Sequence, residues 1–179
     1  GATREDYYLA GKIIAARALK SVKYTSWKKN IALQSVENRI RLPLSVFPRE
    51  NLDLETSAAL EANRQFPHAA RMIRLWRKKI EKHYETFAAS PWLDNVPVQA
   101  IKVGEMPILG LPGEAFCSLG LKLGKKFPGL MTAGYANGDV GYLPTAEAYL
   151  DPADYACYCA PKFYGLFNFT PAVESVLIE

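Results

Sequence analysis

Near residue 96 the spacing of apolar side chains changes from helical to alternating, which rules out both an all-helical and an all-β fold. Before that point Ile73, Trp76, Ile80, Tyr84 and Phe87 recur every three or four residues. They predict a helix over about 67–88 with one buried stripe and a basic cluster opposite it. An Ala-rich helix is predicted over 4–22, where Tyr7, Ala10, Ile14 and Ala18 share a face. Asn51 and Asp53 are candidate N-caps for a short helix through about residue 63. Residues 31–46 read as extended, with Ile40, Leu42, Leu44 and Val46 alternating with Arg41, Pro43 and Ser45. Pro43 cannot donate to a ladder and so places that strand at a sheet edge. Pro91-Trp92-Leu93 reads as a loop.

Beyond residue 96, short strands at 98–103 and 106–111 flank Gly104-Glu105 as a hairpin. Glu114 is expected to open a helix running to about 126 that buries Phe116, Leu119 and Leu123. Gly120 and Gly124 inside it suit close packing on the sheet. Strands 131–136 and 140–143 flank Asn137-Gly138, a tight-turn signal, as a second hairpin. A short helix, an aromatic loop and a last helix from Pro171 follow. The fold class expected is α+β, a mixed, mostly antiparallel β-sheet covered by helices, with residues 1–179 forming a single domain.

Charge and cysteine content narrow the function. The net charge of +4 is mild. Much of it comes from Arg71, Arg74, Arg77, Lys78, Lys79 and Lys82, a solvated helix face that could also meet anionic lipid headgroups. No base-reading motif, GxGxxG or P-loop is present, so no nucleic-acid partner is expected. The 3 cysteines, Cys117, Cys157 and Cys159, are too few and too closely spaced for a disulfide framework, and Cys157-x-Cys159 has no second pair to complete a metal site. No apolar run reaches the length of a membrane span. Thr3-Arg4-Glu5-Asp6 is a charged start without the apolar core of a signal peptide.

The residues that could carry chemistry are Glu114, in Leu111-Pro112-Gly113-Glu114, and Tyr142, in Gly141-Tyr142-Leu143-Pro144-Thr145. Both can offer oxygen ligands to one metal ion. In the first turn of a helix, Glu114 would be held ionised by unpaired N–H groups and the helix dipole. Tyr142 would lie on the return strand of the Asn137-Gly138 hairpin. The plainer alternative is a helix-capping Glu and a half-buried strand Tyr.

Three runs, Val96 to Gly104, Ile108 to Phe116 and Gly134 to Tyr149, resemble the neutral/alkaline ceramidase family, in particular the second half of its catalytic domain. The match covers about residues 96–155. That resemblance implies a zinc amidohydrolase that splits ceramide into sphingosine and fatty acid, its zinc held by two His, one Glu and one Tyr. The Glu of the family's Pro-Gly-Glu motif falls on Glu114, and the Tyr after its Ala-Asn turn falls on Tyr142. The Tyr that contacts the substrate amide falls on Tyr155, with Tyr149 as the other candidate. Tyr155, Tyr158, Phe163, Tyr164, Phe167 and Phe169 could line the mouth for a lipid tail. Family members are commonly exported, which implies a secreted, periplasmic or cell-surface setting.

The family's two zinc-binding histidines and its Gly-Asp-Val-Ser-Pro segment have no counterpart here. The 2 histidines present, His68 and His83, lie on the 67–88 helix without His-x-His or HExxH spacing. Catalytic zinc needs three or more protein ligands. The expectation is therefore half of an active site: inactive alone, a poor zinc binder alone, and lacking the earlier half of the catalytic domain as its partner. An apolar face left by that partner would favour dimerisation or aggregation. The alternatives are a hydrolase of another amide or ester, or a noncatalytic binding or scaffold domain that retains the fold.

Overall fold

A computed structural model describes residues 2–179, and the chain divides into two compact units, one through Ile31 and the other Ala32–Glu179. The first unit holds helix α1, Arg4–Lys23. Thr3 and Asp6 form a capping box at its start, and Lys20 and Lys23 sit in its last turn. The expected helix is present, but its apolar stripe is not buried: Tyr7 is 70% and Ile14 69% exposed.

The second unit is α+β. Its main sheet has the order β5 (Met131–Ala133), β3 (Met106–Gly110), β2 (Trp92–Val103), β1 (Leu33–Ser45) and β7 (Asn168–Phe169), and a separate two-stranded sheet pairs β4 (Glu114–Ala115) with β6 (Tyr142–Leu143). Strands β1, Leu33–Ser45, and β2, Trp92–Val103, are antiparallel over most of their length, with a register shift between Ile40 and Leu42. Strand β2 begins at Trp92, so the expected loop at 91–93 is already ladder. Arg41, at the shift, bonds Asp94 at 2.6 Å and stacks on the Trp92 ring at 5.1 Å. The 104–105 hairpin forms as expected: β3, Met106–Gly110, runs antiparallel to β2, and Gly104 takes a positive φ of 60°. Strand β5, Met131–Ala133, is parallel to β3. Strand β7, Asn168–Phe169, covers β1 only at Leu44 and Ser45. The rest of the outer edge of β1 has no strand partner among the described residues. Pro43 accommodates this arrangement, giving its carbonyl to Thr170 N–H at 3.0 Å.

Helices α2, Leu52–Ala62, and α3, Pro67–Ala89, pack together. The stripe predicted for α3 is the buried one: Ile73 and Ile80 are fully buried and Trp76 is 2% exposed. The indole N–H of Trp76 donates to the Leu166 carbonyl at 2.8 Å, which satisfies the polar atom that burial would otherwise strand. The ring of Phe167 is met edge-on by Phe47, Tyr84 and Phe87 at 4.9, 6.3 and 5.5 Å between centroids. The short helices α4, Cys117–Lys126, α5, Tyr155–Tyr158, α6, Ala160–Phe163, and α7, Val173–Ile178, complete the unit. Leu119 and Leu123 of α4 and Val173 of α7 enter the core.

Two expectations about the region carrying Glu114 fail. Glu114 does not open α4. It lies in a two-residue strand, β4, Glu114–Ala115, and the helix starts at Cys117 after Phe116. The second hairpin does not form either. Strand β5 pairs with β3, and β6, Tyr142–Leu143, pairs in parallel with β4. The cause is the backbone between them. Tyr135, Asn137, Gly138 and Gly141 all take positive φ values, of 54°, 63°, 148° and 91°. That sequence of turns wraps 134–141 around 111–115 instead of folding it back on β5.

Candidate functional site

The wrap is fixed by backbone hydrogen bonds. Ala136 N–H donates to Leu111 O at 2.9 Å, Val140 N–H to Pro112 O at 2.8 Å, Tyr135 N–H to Gly113 O at 3.0 Å and Glu114 N–H to Gly141 O at 2.8 Å. Such close approach requires glycine at two points. A Cβ on Gly113 would collide with the Gly141 carbonyl oxygen, and one on Gly141 would lie 2.7 Å from the Tyr164 ring. Glu114 and Tyr142 thereby become direct neighbours across the β4–β6 bridge.

The Glu114 carboxylate is half-buried and ringed by phenols. Tyr164 donates to its Oε1 at 3.0 Å. Burial alone would raise its pKa, but hydrogen bonding from Tyr142, Tyr135 and Tyr164 outweighs that and holds it below the usual carboxylate value. The phenols shift the other way. Tyr142 is pushed up to about 12, first by its bond to Glu114 and then by burial. Tyr135 is raised chiefly by the same carboxylate, and Tyr164 is raised by burial and by Glu114. A carboxylate that keeps its charge beside phenols that keep their protons is therefore the state at neutral pH. The ionised form of Glu114 is secured by tyrosines, not by a helix dipole.

Asp139 closes the ring. Its Oδ1 accepts the Gly141 N–H at 2.9 Å, and its Oδ2 lies 3.4 Å from the Tyr164 hydroxyl. Glu174 of α7 bonds Lys122 of α4 and accepts the Ala146 N–H at 2.8 Å, tying the segment after β6 to two helices.

Tyr155 opens α5 and is 53% exposed. Its ring meets Tyr142 edge-on at 5.9 Å and lies 6.4 Å from Phe163. Burial raises its phenol pKa. Tyr155 also borders an open cavity of about 710 Å³, whose walls include Phe66, Ala69, Met72, Phe163 and Cys159. Tyr149 turns its hydroxyl inward, where that oxygen finds no hydrogen-bond partner and burial raises its pKa. His68 and His83 are exposed on α3, and His68 stands at the rim of the 710 Å³ cavity. All three cysteines are free: Cys117 exposed, Cys157 buried, Cys159 between the two.

The donor set fits a metal ion in part. Glu114 and Tyr142 supply two adjacent oxygens, and no histidine borders them. Among the described residues no group of three or more His, Cys, Asp and Glu side chains is placed to hold a metal. Two oxygen donors are fewer than the three protein ligands that a catalytic zinc site uses.

Tyr164 and Asp139 are the site residues that sequence reading missed in this role. Tyr164 stands in the aromatic run that reads as lining for a lipid tail, and no spacing or motif singles out Asp139. The visible signal was Gly141, whose missing side chain leaves room for the Tyr164 ring.

No family model matches the chain, and no curated protein does. Among solved structures, the neutral ceramidase from Pseudomonas aeruginosa is similar over 49% of this chain and 14% of its own, at 22% identity and a TM-score of 0.32. The chain thus corresponds to a small fraction of that protein's length.

Proposed function

We propose that this chain forms the Glu- and Tyr-bearing part of a zinc-dependent amidohydrolase that cleaves the N-acyl amide of ceramide-like sphingolipids to sphingosine and fatty acid. Two further ligands, both histidines, come from outside the chain. The observation that carries the reading is the parallel bridge setting Glu114 beside Tyr142. These are the two residues onto which the family's Glu and Tyr ligands fall. The chemistry a zinc ion supplies when bound is Lewis-acid activation of water and of the amide carbonyl.

The chain's own residues have three tasks. Glu114 stays ionised at neutral pH and so presents a ready anionic ligand. Tyr155, next to Tyr142 and more exposed, donates its hydroxyl to the reacting amide. The apolar cavity beside Tyr155 has the volume and lining of a site for a hydrocarbon chain. The cations of α3 are available for anionic headgroups at a membrane surface.

The test is hydrolysis of a fluorescent N-acylsphingosine by the chain combined with a separate polypeptide that carries the family's two zinc-binding histidines, with zinc supplied. Turnover is expected only with both parts, and Glu114→Ala should reduce it by about 100-fold or more. Turnover indifferent to Glu114→Ala would overturn the reading. A combined preparation that stays inert would favour a scaffold that has only the fold.

A further inference from the structure

Asn63 follows the last residue of α2 and is only 8% exposed, a polar side chain taken almost wholly out of water. The nitrogen end of its amide is accounted for. Nδ2 donates to the Ala59 carbonyl at 2.9 Å, which fixes that end, and also points at Cys159 Sγ at 3.4 Å. The oxygen end is not. An amide oxygen has two lone pairs, and the donor beside Oδ1 among the described residues is the Cys159 thiol, a weak donor at 3.7 Å.

That amide stands in a cavity wall. Asn63 and Cys159 line the open cavity of about 710 Å³ beside Tyr155, and also the neighbouring one of about 380 Å³. Most of the larger wall is Ala62, Phe66, Ala69, Met72, Ala153 and Phe163, whose side chains have no hydrogen bond to give. Tyr155 and His68 also line it, but both are exposed and can bond water. A ligand atom that satisfies Asn63 Oδ1 must bring a donor, and among such neighbours it must be carried on a hydrocarbon. An aliphatic hydroxyl meets both demands. An ammonium would enter a cavity whose lining holds no carboxylate to pair with it.

We propose that Asn63 is a specificity-determining residue, its Oδ1 accepting a hydrogen bond from a hydroxyl on the aliphatic chain that occupies this cavity. The inference rests on the reading of the cavity as a hydrocarbon site and adds that a hydroxylated chain is preferred there to a plain one. The hydroxyl gives up its water on entry and regains a bond at Asn63, which satisfies the amide oxygen as well. A chain without a donor leaves that oxygen as it was.

The probes are octanol and its isomer heptyl methyl ether, titrated into the full chain by calorimetry. The two are alike in size, but the ether oxygen accepts and cannot donate. Octanol should bind about 10-fold more tightly. Asn63→Leu should remove that preference. Because Asn63→Leu also loses the bond to Ala59, Cys159→Ala serves as a second variant that leaves the end of α2 intact. With the thiol gone, Oδ1 has both lone pairs for the ligand, and the preference for octanol should be at least as large as in the parent chain. A preference abolished by Cys159→Ala would make the thiol the partner of the hydroxyl and overturn the role of Asn63. One that survives Asn63→Leu would place the hydroxyl at the rim and overturn it too. Equal binding of the isomers by the parent chain would end hydroxyl recognition alone, whereas binding of neither would end the hydrocarbon reading of the cavity with it.

Discussion

Glu114 shows how one residue's chemistry can be set by contacts remote in sequence. Its immediate neighbours, Pro112 and Gly113, suggest a helix start, yet its ionisation is governed by phenols 21, 28 and 50 positions further on, at Tyr135, Tyr142 and Tyr164. The glycines that admit them should be intolerant of substitution. Gly113→Ala places a methyl group against the Gly141 carbonyl and should cost about 1–3 kcal/mol, read as a lower denaturant midpoint. Gly124 is the control. A Cβ there meets nothing within 4 Å, so Gly124→Ala in α4 should stabilise by about 0.5–1 kcal/mol. Gly120 fits the close-packing expectation, with Thr132 Oγ1 3.0 Å from its would-be Cβ, whereas Gly124 does not.

At the scale of elements, the clamp from α7 to α4 and to the segment after β6 is sensitive to acid. Burial pushes the Glu174 pKa up, but the hydrogen bonds from Lys122 and the Ala146 N–H, with the Lys122 charge, bring it below the ordinary value. A carboxylate with a depressed folded-state pKa contributes stability that is complete above its unfolded pKa, about 4.3, and is lost as pH falls through the folded value. Glu174→Gln should therefore destabilise by about 1–3 kcal/mol at pH 7, with the difference from the parent chain disappearing below the carboxylate range in urea titrations. Helix α1 is the opposite case. It has good caps and high propensity but buries none of its residues. Most helical stability in proteins comes from packing an apolar face, and none of the residues of α1 is buried. Its amides should exchange with deuterium within seconds to minutes while those of β2 and β3 remain protected.

At the scale of the molecule, exposed apolar side chains are numerous. Leu33 and Val36 on β1 are 72% and 65% exposed, on a strand whose outer edge has no strand partner among the described residues over most of its length. Edges of this kind pair with other strands unless they are blocked. The chain should accordingly show a weight-average mass that rises with concentration in sedimentation equilibrium. Placing lysine at Leu33 and Val36 should suppress that rise without changing the thermal midpoint. A mass that stayed at one chain across the concentration range would show that the charges already on β1, Glu37 and Arg39 among them, block the edge sufficiently.

The features legible in the residues alone are those that depend on local spacing. The buried stripe of α3, the turn at Gly104 and the α+β class follow from side-chain periodicity and backbone preference, which act within a few residues, whereas 111–114 and 141–145 stand out only through the family resemblance. Where those pieces went was left to the folded chain. Asn137-Gly138 permits a hairpin, but the positive φ values at Tyr135 and Gly141 turn the chain elsewhere, so β6 lies beside β4 and not β5. The same wrap made Tyr164 and Asp139 partners of Glu114. Such a convergence depends on hydrogen bonds between segments far apart in the chain, and a periodicity read one stretch at a time has no access to them.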